Sequence, residues 1–284
     1  MSISITKASG EKQLFSQAKL RQSLIRAGAS ADLVSDVVLK IEAIMTEGMS
    51  TKSIYAEAHR LLTETLPPAA GRYHLKSGIM ELGPSGFPFE KYVSEILLGQ
   101  GYHIEVGKIV DGKCVKHEVD VVAEKDDQHF MIECKYHNSP GVFCDVKIPL
   151  YIKARFEDIE DQWKLIPGHS AKFHQGWVVT NTRFTGDAIT YGNCAGLKLV
   201  SLDFPIKGSL REQIEETGLY PLTCLTSLTQ LEKKALLEMN IVLCRDICQH
   251  PQYLKKLNIP SERINTILEE GNELCHKLIQ HDQH

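Results

Sequence analysis

Two short apolar segments joined by a charged turn limit what this chain can fold into. His117-Glu118-Val119-Asp120-Val121-Val122 and Phe130-Met131-Ile132-Glu133-Cys134-Lys135 each read as a β-strand, and Glu124-Lys125-Asp126-Asp127-Gln128 between them reads as a turn. Side chains two apart on a strand leave the same face, so Glu133 and Lys135 project together. If Asp120 lies opposite on that face, two carboxylates and an ammonium converge. Two carboxylates hold a hard cation such as Mg²⁺, and a nearby lysine stabilises or helps generate a metal-bound hydroxide. That set is the equipment for hydrolysing a phosphodiester. An alternating edge strand with a surface salt bridge would carry the same residues, so the rest of the chain must decide.

With 284 residues there is room for about two domains. Hydrophobic content of 43% and charged content of 24% are those of an ordinary globular protein. No apolar run approaches the ~18 residues that a transmembrane helix needs. The run Met1-Ser2-Ile3-Ser4-Ile5-Thr6-Lys7 lacks a signal-peptide core, so a cytoplasmic protein without a membrane partner is expected. None of the eight cysteines forms a CxxC pair; Cys244 and Cys248 lie four apart with His250 nearby. Structural zinc normally has paired short-spaced ligands, so reduced, buried thiols are expected instead. The net charge of −4 gives bulk support to no nucleic-acid partner, but clustering matters more than the total. Lys147, Lys153, Arg155, Lys164, His169, Lys172 and His174 follow the hairpin closely. Asp145, Glu157, Asp158, Glu160 and Asp161 offset them, as on a solvated face.

Residues 1–83 read as one domain. Short strands are expected at Ser4-Ile5-Thr6 and Gln13-Leu14-Phe15. Apolar stripes then mark helices through Leu20, Leu24 and Ile25, and through Leu33, Val34, Val37, Val38 and Ile41. Ser50 caps a third helix, Pro67-Pro68 breaks it, and a fourth runs from Ala69 to Leu82. On the residues Ile5-Thr6-Lys7, Gly10, Phe15, Lys19-Leu20, Ser50-Thr51-Ile54 and Arg72-Tyr73-Leu75, the segment at about 3–82 resembles an ATP-cone domain. That resemblance implies ATP or dATP as a regulatory ligand, with Lys7, Lys19, Thr51 and Arg72 as its binding residues. The family typically has Lys-Arg-Asp-Gly where this chain has Lys7-Ala8-Ser9-Gly10, which removes a forked, permanently charged phosphate partner. A cone used only for packing or dimerisation is the alternative.

Residues 84–210 read as a second domain. The order is a helix from Phe89 to Leu98, a strand over Tyr102 to Val106, the two hairpin strands, and a helix from Val146 to Trp163. A strand at Trp177 to Thr180, a helix near Asp187 to Tyr191 and a strand at Leu197 to Ser201 complete it. This is an α/β domain with a mixed central sheet. Phe89-Glu90, Leu97-Leu98, Gly101-Tyr102, Val119-Asp120-Val121-Val122, Glu133-Cys134-Lys135, Val178-Val179-Thr180-Asn181-Thr182-Arg183-Phe184-Thr185 and Leu197-Lys198-Leu199-Val200 resemble the Mrr-type restriction endonuclease domain of the PD-(D/E)xK nuclease superfamily. The resemblance implies an Mg²⁺- or Mn²⁺-dependent endodeoxyribonuclease with DNA as partner. It makes Asp120 and Glu133 metal ligands, with the Cys134 carbonyl able to add a third oxygen. Lys135 would orient or deprotonate the attacking water, or steady the pentavalent phosphate. Glu90 lies on the helix that in related nucleases supplies an extra carboxylate, or is an exposed helix residue.

The family often has Gln-x-Lys and Gly-Val-Asp where this chain has Glu133-Cys134-Lys135 and Glu118-Val119-Asp120. Glu118 is either an added ligand or, as favoured here, exposed at the strand end. His117 suits a hard cation poorly. Thr182 and Arg183 are candidates to contact a phosphate, and His137 and Asn138 the DNA backbone.

Residues 215–284 read as helices only, with Pro221, Pro251 and Pro260 at starts or breaks. Asn258-Ile259-Pro260-Ser261 resembles the turn of a helix-hairpin-helix DNA-binding domain, but the glycine-rich hairpin is missing, which favours an interaction or dimerisation bundle. The sequence thus predicts a DNA endonuclease regulated by ATP or dATP. The alternative is a non-catalytic, nucleotide-responsive, nucleic-acid-binding regulator. Cutting both strands commonly takes two active sites, so a homodimer is expected.

Overall fold

The computed structural model describes residues 3–7, 9–167 and 174–276. Met1, Ser2, Ala8, His169 and Lys172, which belong to the patterns above, lie outside them. The chain forms two compact units: residues 1–79 with 220–284, and residues 80–219. The first and last segments of the sequence therefore share one unit. Among the described residues there are thirteen α-helices and nine short or long strands.

The first unit opens with an antiparallel hairpin of β1 (Ser4–Thr6) and β2 (Lys12–Leu14). Helices α1 (Gln17–Arg26), α2 (Ala31–Ile44) and α3 (Thr51–Thr65) follow. Ser16, Ser30 and Ser50 cap them, each hydroxyl accepting the N–H three residues on, a device worth about 1 kcal/mol per helix. The apolar stripes meet in one core of Leu20, Leu24, Val34, Val37, Val38, Ile41, Ile54, Ala58 and Leu62. The single fourth helix expected from Ala69 to Leu82 is instead two, α4 (Pro67–Tyr73) and α5 (Leu75–Met80). Pro67 and Pro68 begin α4, because a residue without an N–H loses nothing in a first turn.

The second unit holds α6 (Phe87–Gly99), β3 (His103–Asp111), β4 (Lys116–Lys125), β5 (Gln128–Lys135) and β6 (Phe143–Cys144). Then come α7 (Lys147–Trp163), β7 (His174–Thr180), β8 (Arg183–Phe184), α8 (Gly186–Cys194), β9 (Lys198–Val200) and α9 (Leu210–Thr217). The main sheet has the order β3-β4-β5-β7-β9, antiparallel through β5 and parallel beyond it. The β4–β5 turn consists of Asp126 and Asp127, with φ of 50° and 58°, the left-handed pair that a two-residue hairpin requires. Alternation divides the sheet. Met131, Val178 and Leu199 pack with Ile152, Phe156 and Ile159 of α7 and Ala188 of α8. Trp177, Val179 and Val200 meet Val93, Ile96 and Leu97 of α6 and Leu210 of α9.

Helix α7 also clasps the β3–β4 turn. Asp158 accepts from His117 Nε2 at 2.7 Å, from Cys114 N–H at 2.8 Å and from Val115 N–H at 3.3 Å. These donors hold the Asp158 carboxyl well below the usual range, His117 first. A Cβ at Gly112 would strike that carboxylate and lie 2.6 Å from Val115 O, so only glycine fits.

The first unit resumes with a 3₁₀ turn at Leu222–Cys224 and α10 (Gln230–Glu238), α11 (Cys244–Gln249), α12 (Gln252–Lys256) and α13 (Ser261–Cys275). The turn lies against α4 and α5. A Cβ at Gly71 would be 2.9 Å from Cys224 O, and one at Gly78 2.7 Å from Cys224 Sγ. Thr223 donates to Gly78 O at 2.7 Å. Glu270 of α13 accepts from Thr226 N–H, Thr226 Oγ1 and Ser227 N–H at 2.7, 2.7 and 2.9 Å.

Candidate active site

The sheet brings Asp120, Glu133 and Lys135 together by register. The last regular β4–β5 pair is Val121 with Ile132, so one step further Asp120 faces Glu133 across the ladder. Asp120 Oδ2 accepts from Cys134 N–H at 2.7 Å. Lys135 Nζ lies 2.5 Å from Glu133 Oε1. The other oxygen, Oε2, is held at 2.6 Å by Arg155 Nη1 of α7, whose Nη2 donates to the Glu118 carbonyl. Glu133 is 6% exposed, with both oxygens on cations. The group stands at the carboxyl ends of the parallel strands β5 and β7, where open α/β sheets place their ligand sites.

The chain beyond Lys135 is fixed by Asn181. Its side-chain oxygen accepts from His137 N–H and its amide donates to His137 O, each at 2.9 Å. Thr180 Oγ1 donates to Lys135 O at 2.7 Å, and Tyr136 OH to Met80 O at 2.6 Å.

The electrostatics of the three acids are uneven. Burial, followed by the charge of Glu133, pushes Asp120 up to about 7 against the pull of the Cys134 N–H. Burial and then Glu133 and Glu118 raise Glu90, which places Glu90 of α6 in the field of the same site. Burial pulls Lys135 down, but its hydrogen bond to Glu133 and that carboxylate's charge outweigh the pull and leave it above the ordinary lysine value. Lys135 is thus a cation at neutral pH. Burial, then Lys135, lowers His137.

Among the described residues no three or more His, Cys, Asp or Glu side chains stand at metal-holding spacing. Asp120 and Glu133 are nevertheless hard oxygen donors at a place short of positive charge, since the site's two cations sit on Glu133 while Asp120 and Glu90 are raised. Such a set fits an ion of the Mg²⁺ type, which keeps several waters and takes one or two carboxylates from the protein.

The structure places the remaining candidates as follows. Glu118 is exposed, and His117 is committed to Asp158. Thr182 and the exposed Arg183 follow β7 beside the Lys135 end of β5. Asn138 is exposed. In the first unit, Lys19 and Thr51 line a cavity of about 190 Å³ with Ile5, Phe15, Tyr55 and Tyr73. Lys7 and Arg72 do not line it. Lys7 pairs with Glu11 at 2.9 Å, while Arg72 Nη2 donates to Glu273 O at 2.5 Å at the end of α13. Arg155 and Asn181 had no site signal of their own. Arg155 stood in a run of mixed charges, and Asn181 in a phrase that marked only the fold.

Comparison with known proteins agrees with the second unit's architecture. Residues 83–203 match the family model described as Restriction endonuclease, and residues 220–275 match AF1548-like, C-terminal. An uncharacterized protein of Archaeoglobus fulgidus is 33% identical over 186 residues, spanning 64% of this chain and 99% of its own length. A solved structure titled "Crystal Structure of Protein of Unknown Function AF1548" superposes with a TM-score of 0.54 at 32% identity, covering 67% of this chain and 98% of that one. The chain belongs to the AF1548-like family. Asp120, Glu133, Lys135, Glu90, Arg155 and Asn181 all fall inside the restriction endonuclease match of this AF1548-like chain. The mixed sheet and the Mrr-type domain implied by the sequence phrases are therefore met. No described helix is long and apolar enough to cross a membrane.

Proposed function

We propose that this AF1548-like chain is a metal-dependent endodeoxyribonuclease acting at the Asp120–Glu133–Lys135 site. The observation that carries the reading is the register that sets Asp120 opposite Glu133 within a restriction endonuclease-type domain, with Lys135 held on Glu133. Asp120 and Glu133 would hold Mg²⁺ or Mn²⁺, with the Cys134 carbonyl as a third oxygen. When bound, such an ion polarises the phosphate and lowers the pKa of water. Lys135, charged at neutral pH, meets the negative charge that develops on the phosphate rather than taking a proton. Arg155 fixes the second oxygen of Glu133 and so orients the carboxylate. Glu90, protonated more readily than a free glutamate, stands ready to hold or release a proton near the leaving group.

The test is nicking of supercoiled DNA, modified and unmodified, with Mg²⁺ or Mn²⁺. Asp120→Ala, Glu133→Ala and Lys135→Ala are each expected to abolish cutting. Parent-like cutting by all three variants would rule the site out.

A non-catalytic, DNA-binding regulator is the second reading, favoured by one observation: both oxygens of Glu133 are already taken by Lys135 and Arg155. DNA binding that survives chelation, with no cleavage, would select it. For the first unit we propose an ATP-cone role with ATP or dATP at the cavity of Lys19 and Thr51. That cavity is smaller than the roughly 300–1,000 Å³ of pockets that enclose a drug-sized ligand, so only part of a nucleotide would be covered. Calorimetry with ATP and dATP on the parent and Lys19→Ala tests it, and equal binding by both would exclude Lys19. A homodimer, the state that two-strand cutting calls for, is read by sedimentation.

A further inference from the structure

The rim of the candidate active site carries two exposed aromatic rings, and each stands beside a cation. The first is Tyr151, on the second turn of α7 and 58% exposed. Arg155 follows it by four residues on the same helix face, and its guanidinium lies 5.4 Å from the centre of the Tyr151 ring. That guanidinium also grips Glu133 at 2.6 Å. Tyr151 is therefore one contact removed from the central carboxylate. Lys147, exposed, precedes Tyr151 by four residues. Lys147, Tyr151 and Arg155 thus form a stripe of cation, ring and cation that advances about 6 Å per step along α7 toward Glu133.

The second ring is Phe143, 48% exposed. The β6–β8 ladder pairs Phe143 with Arg183 and Cys144 with Phe184. Side chains alternate between faces, so the burial of Cys144 and Phe184 leaves Phe143 and Arg183 side by side on the outer face. The ladder is tied to the site. Thr180 donates to Lys135 O at 2.7 Å, with only Asn181 and Thr182 between it and β8, and His137 Nε2 lies 3.3 Å from Cys144 Sγ. Charge sets both places apart from the surface around them. Lys108, Lys113, Lys153 and Lys164 each hold a carboxylate. Neither Lys147 nor Arg183 makes an ion pair among the described residues.

We propose that Tyr151 and Phe143 are stacking platforms for unpaired bases, and that the site handles single-stranded or locally opened DNA. This rests on the nuclease reading of Asp120, Glu133 and Lys135 and names its substrate class. A ring holds a base through its π-face, and inside a duplex those faces are covered by the neighbouring base pairs. A closed duplex offers its phosphates and groove edges instead. The net charge of −4 is ill suited to a binder that relies on phosphates alone. Rings that alternate with cations suit a strand whose bases are free, with ring against base and cation on phosphate. Arg155 holds one side of Tyr151 and so fixes that ring before a strand arrives. Lys147 and Arg183 meet phosphates of the same strand.

The experiment measures binding of the full chain in chelator, where nothing is cut. The probes are short labelled DNAs of one length: a single strand, its blunt duplex and an abasic strand with the same phosphates. The parent should bind the single strand at least about tenfold tighter than either of the others. Phe143→Ala and Tyr151→Ala should each weaken single-strand binding about 5- to 150-fold, while Phe143→Tyr and Tyr151→Phe keep it. Lys147→Ala and Arg183→Ala should each flatten the slope of log affinity against log salt by about 0.7. Equal or tighter binding of the duplex, of the abasic strand or of an RNA strand of the same sequence overturns the proposal. So does parent-like binding by both alanine variants. The abasic comparison needs only the parent and decides even if a variant fails to fold. With Mg²⁺ or Mn²⁺ added, the single strand or a bubbled duplex should be cut faster than the closed duplex. A parent that binds the single strand as expected but cuts neither refutes the nuclease reading and upholds the platforms. One that cuts the closed duplex faster refutes the substrate class and upholds the nuclease reading.

Discussion

Glu133 and Glu270 are buried to nearly the same degree, 6% and 5% exposed, one on the central sheet and the other on α13. Their partners differ in kind. Glu270 accepts from two backbone N–H groups and a threonine hydroxyl of adjacent residues, neutral donors fixed by the loop that carries them. Glu133 is held by the ends of two long cationic side chains, one of them from a helix 22 positions on. A carboxylate met by local neutral dipoles pins a loop. One met by mobile cations can exchange a partner for a metal or a phosphate without unmaking the fold. Burial alone does not distinguish a structural acid from a reactive one, but the origin of the compensating charge does.

The sharpest way to break that contrast is Glu133→Gln. Cleavage per folded molecule should fall about 10²–10³-fold, the scale of losing one group that faces developing charge. If the loss merely tracks a drop in the urea midpoint, Glu133 is as structural as Glu270. Arg155→Ala comes next. It leaves a buried carboxylate short of one cation and should cost about 3 kcal/mol of unfolding free energy in urea titrations. Arg155→Lys should recover part of this, since it keeps the charge and loses the fork that also reaches the Glu118 carbonyl. Glu270→Gln should reverse the pattern of Glu133→Gln. Its amide turns a donor toward Thr226 or Ser227, which costs about 2 kcal/mol, while cleavage per folded molecule stays within about twofold of the parent.

The smallest effect is on pH. The Asp120 pKa is raised from 3.8 to about 7, so in chelator this group's stabilisation is complete below about pH 4 and is lost as pH rises through 7. Glu90 has the same sign. Denaturation between pH 5 and 8 should show a decline of about 1–2 kcal/mol after allowance for partial exposure, and Asp120→Asn should flatten most of it. A parent profile that rises across this window would refute the charge deficit on which the metal reading depends.

The two strands of the candidate site were legible because each constraint on them is local. A period of two puts Glu133 and Lys135 on one face, and the two-residue Asp126-Asp127 turn fixes the register that brings Asp120 opposite. Arg155 was not legible, because its partner lies 22 positions away and its own neighbours, Glu157 and Asp158, made it look like one charge among many. The full length of β3 was hidden for another reason. It is an edge strand, mostly exposed from Glu105 to Ile109, so burial imposes no alternation on its sequence. The union of the first and last segments depends on Gly71 and Gly78, whose missing side chains admit Cys224. A glycine in a helical pattern marks where backbone can come close, without saying which part of the chain will.

Helix α7 carries Asp158 and Arg155 less than one turn apart, the first gripping the β3–β4 turn and the second gripping Glu133. A rigid rod with a hand at each place is a lever. Gly112 is its outer stop, since any side chain there would push on the Asp158 carboxylate. A substitution on a surface turn far from the candidate site would therefore travel along one helix and twist the Glu133 carboxylate proposed to receive a metal.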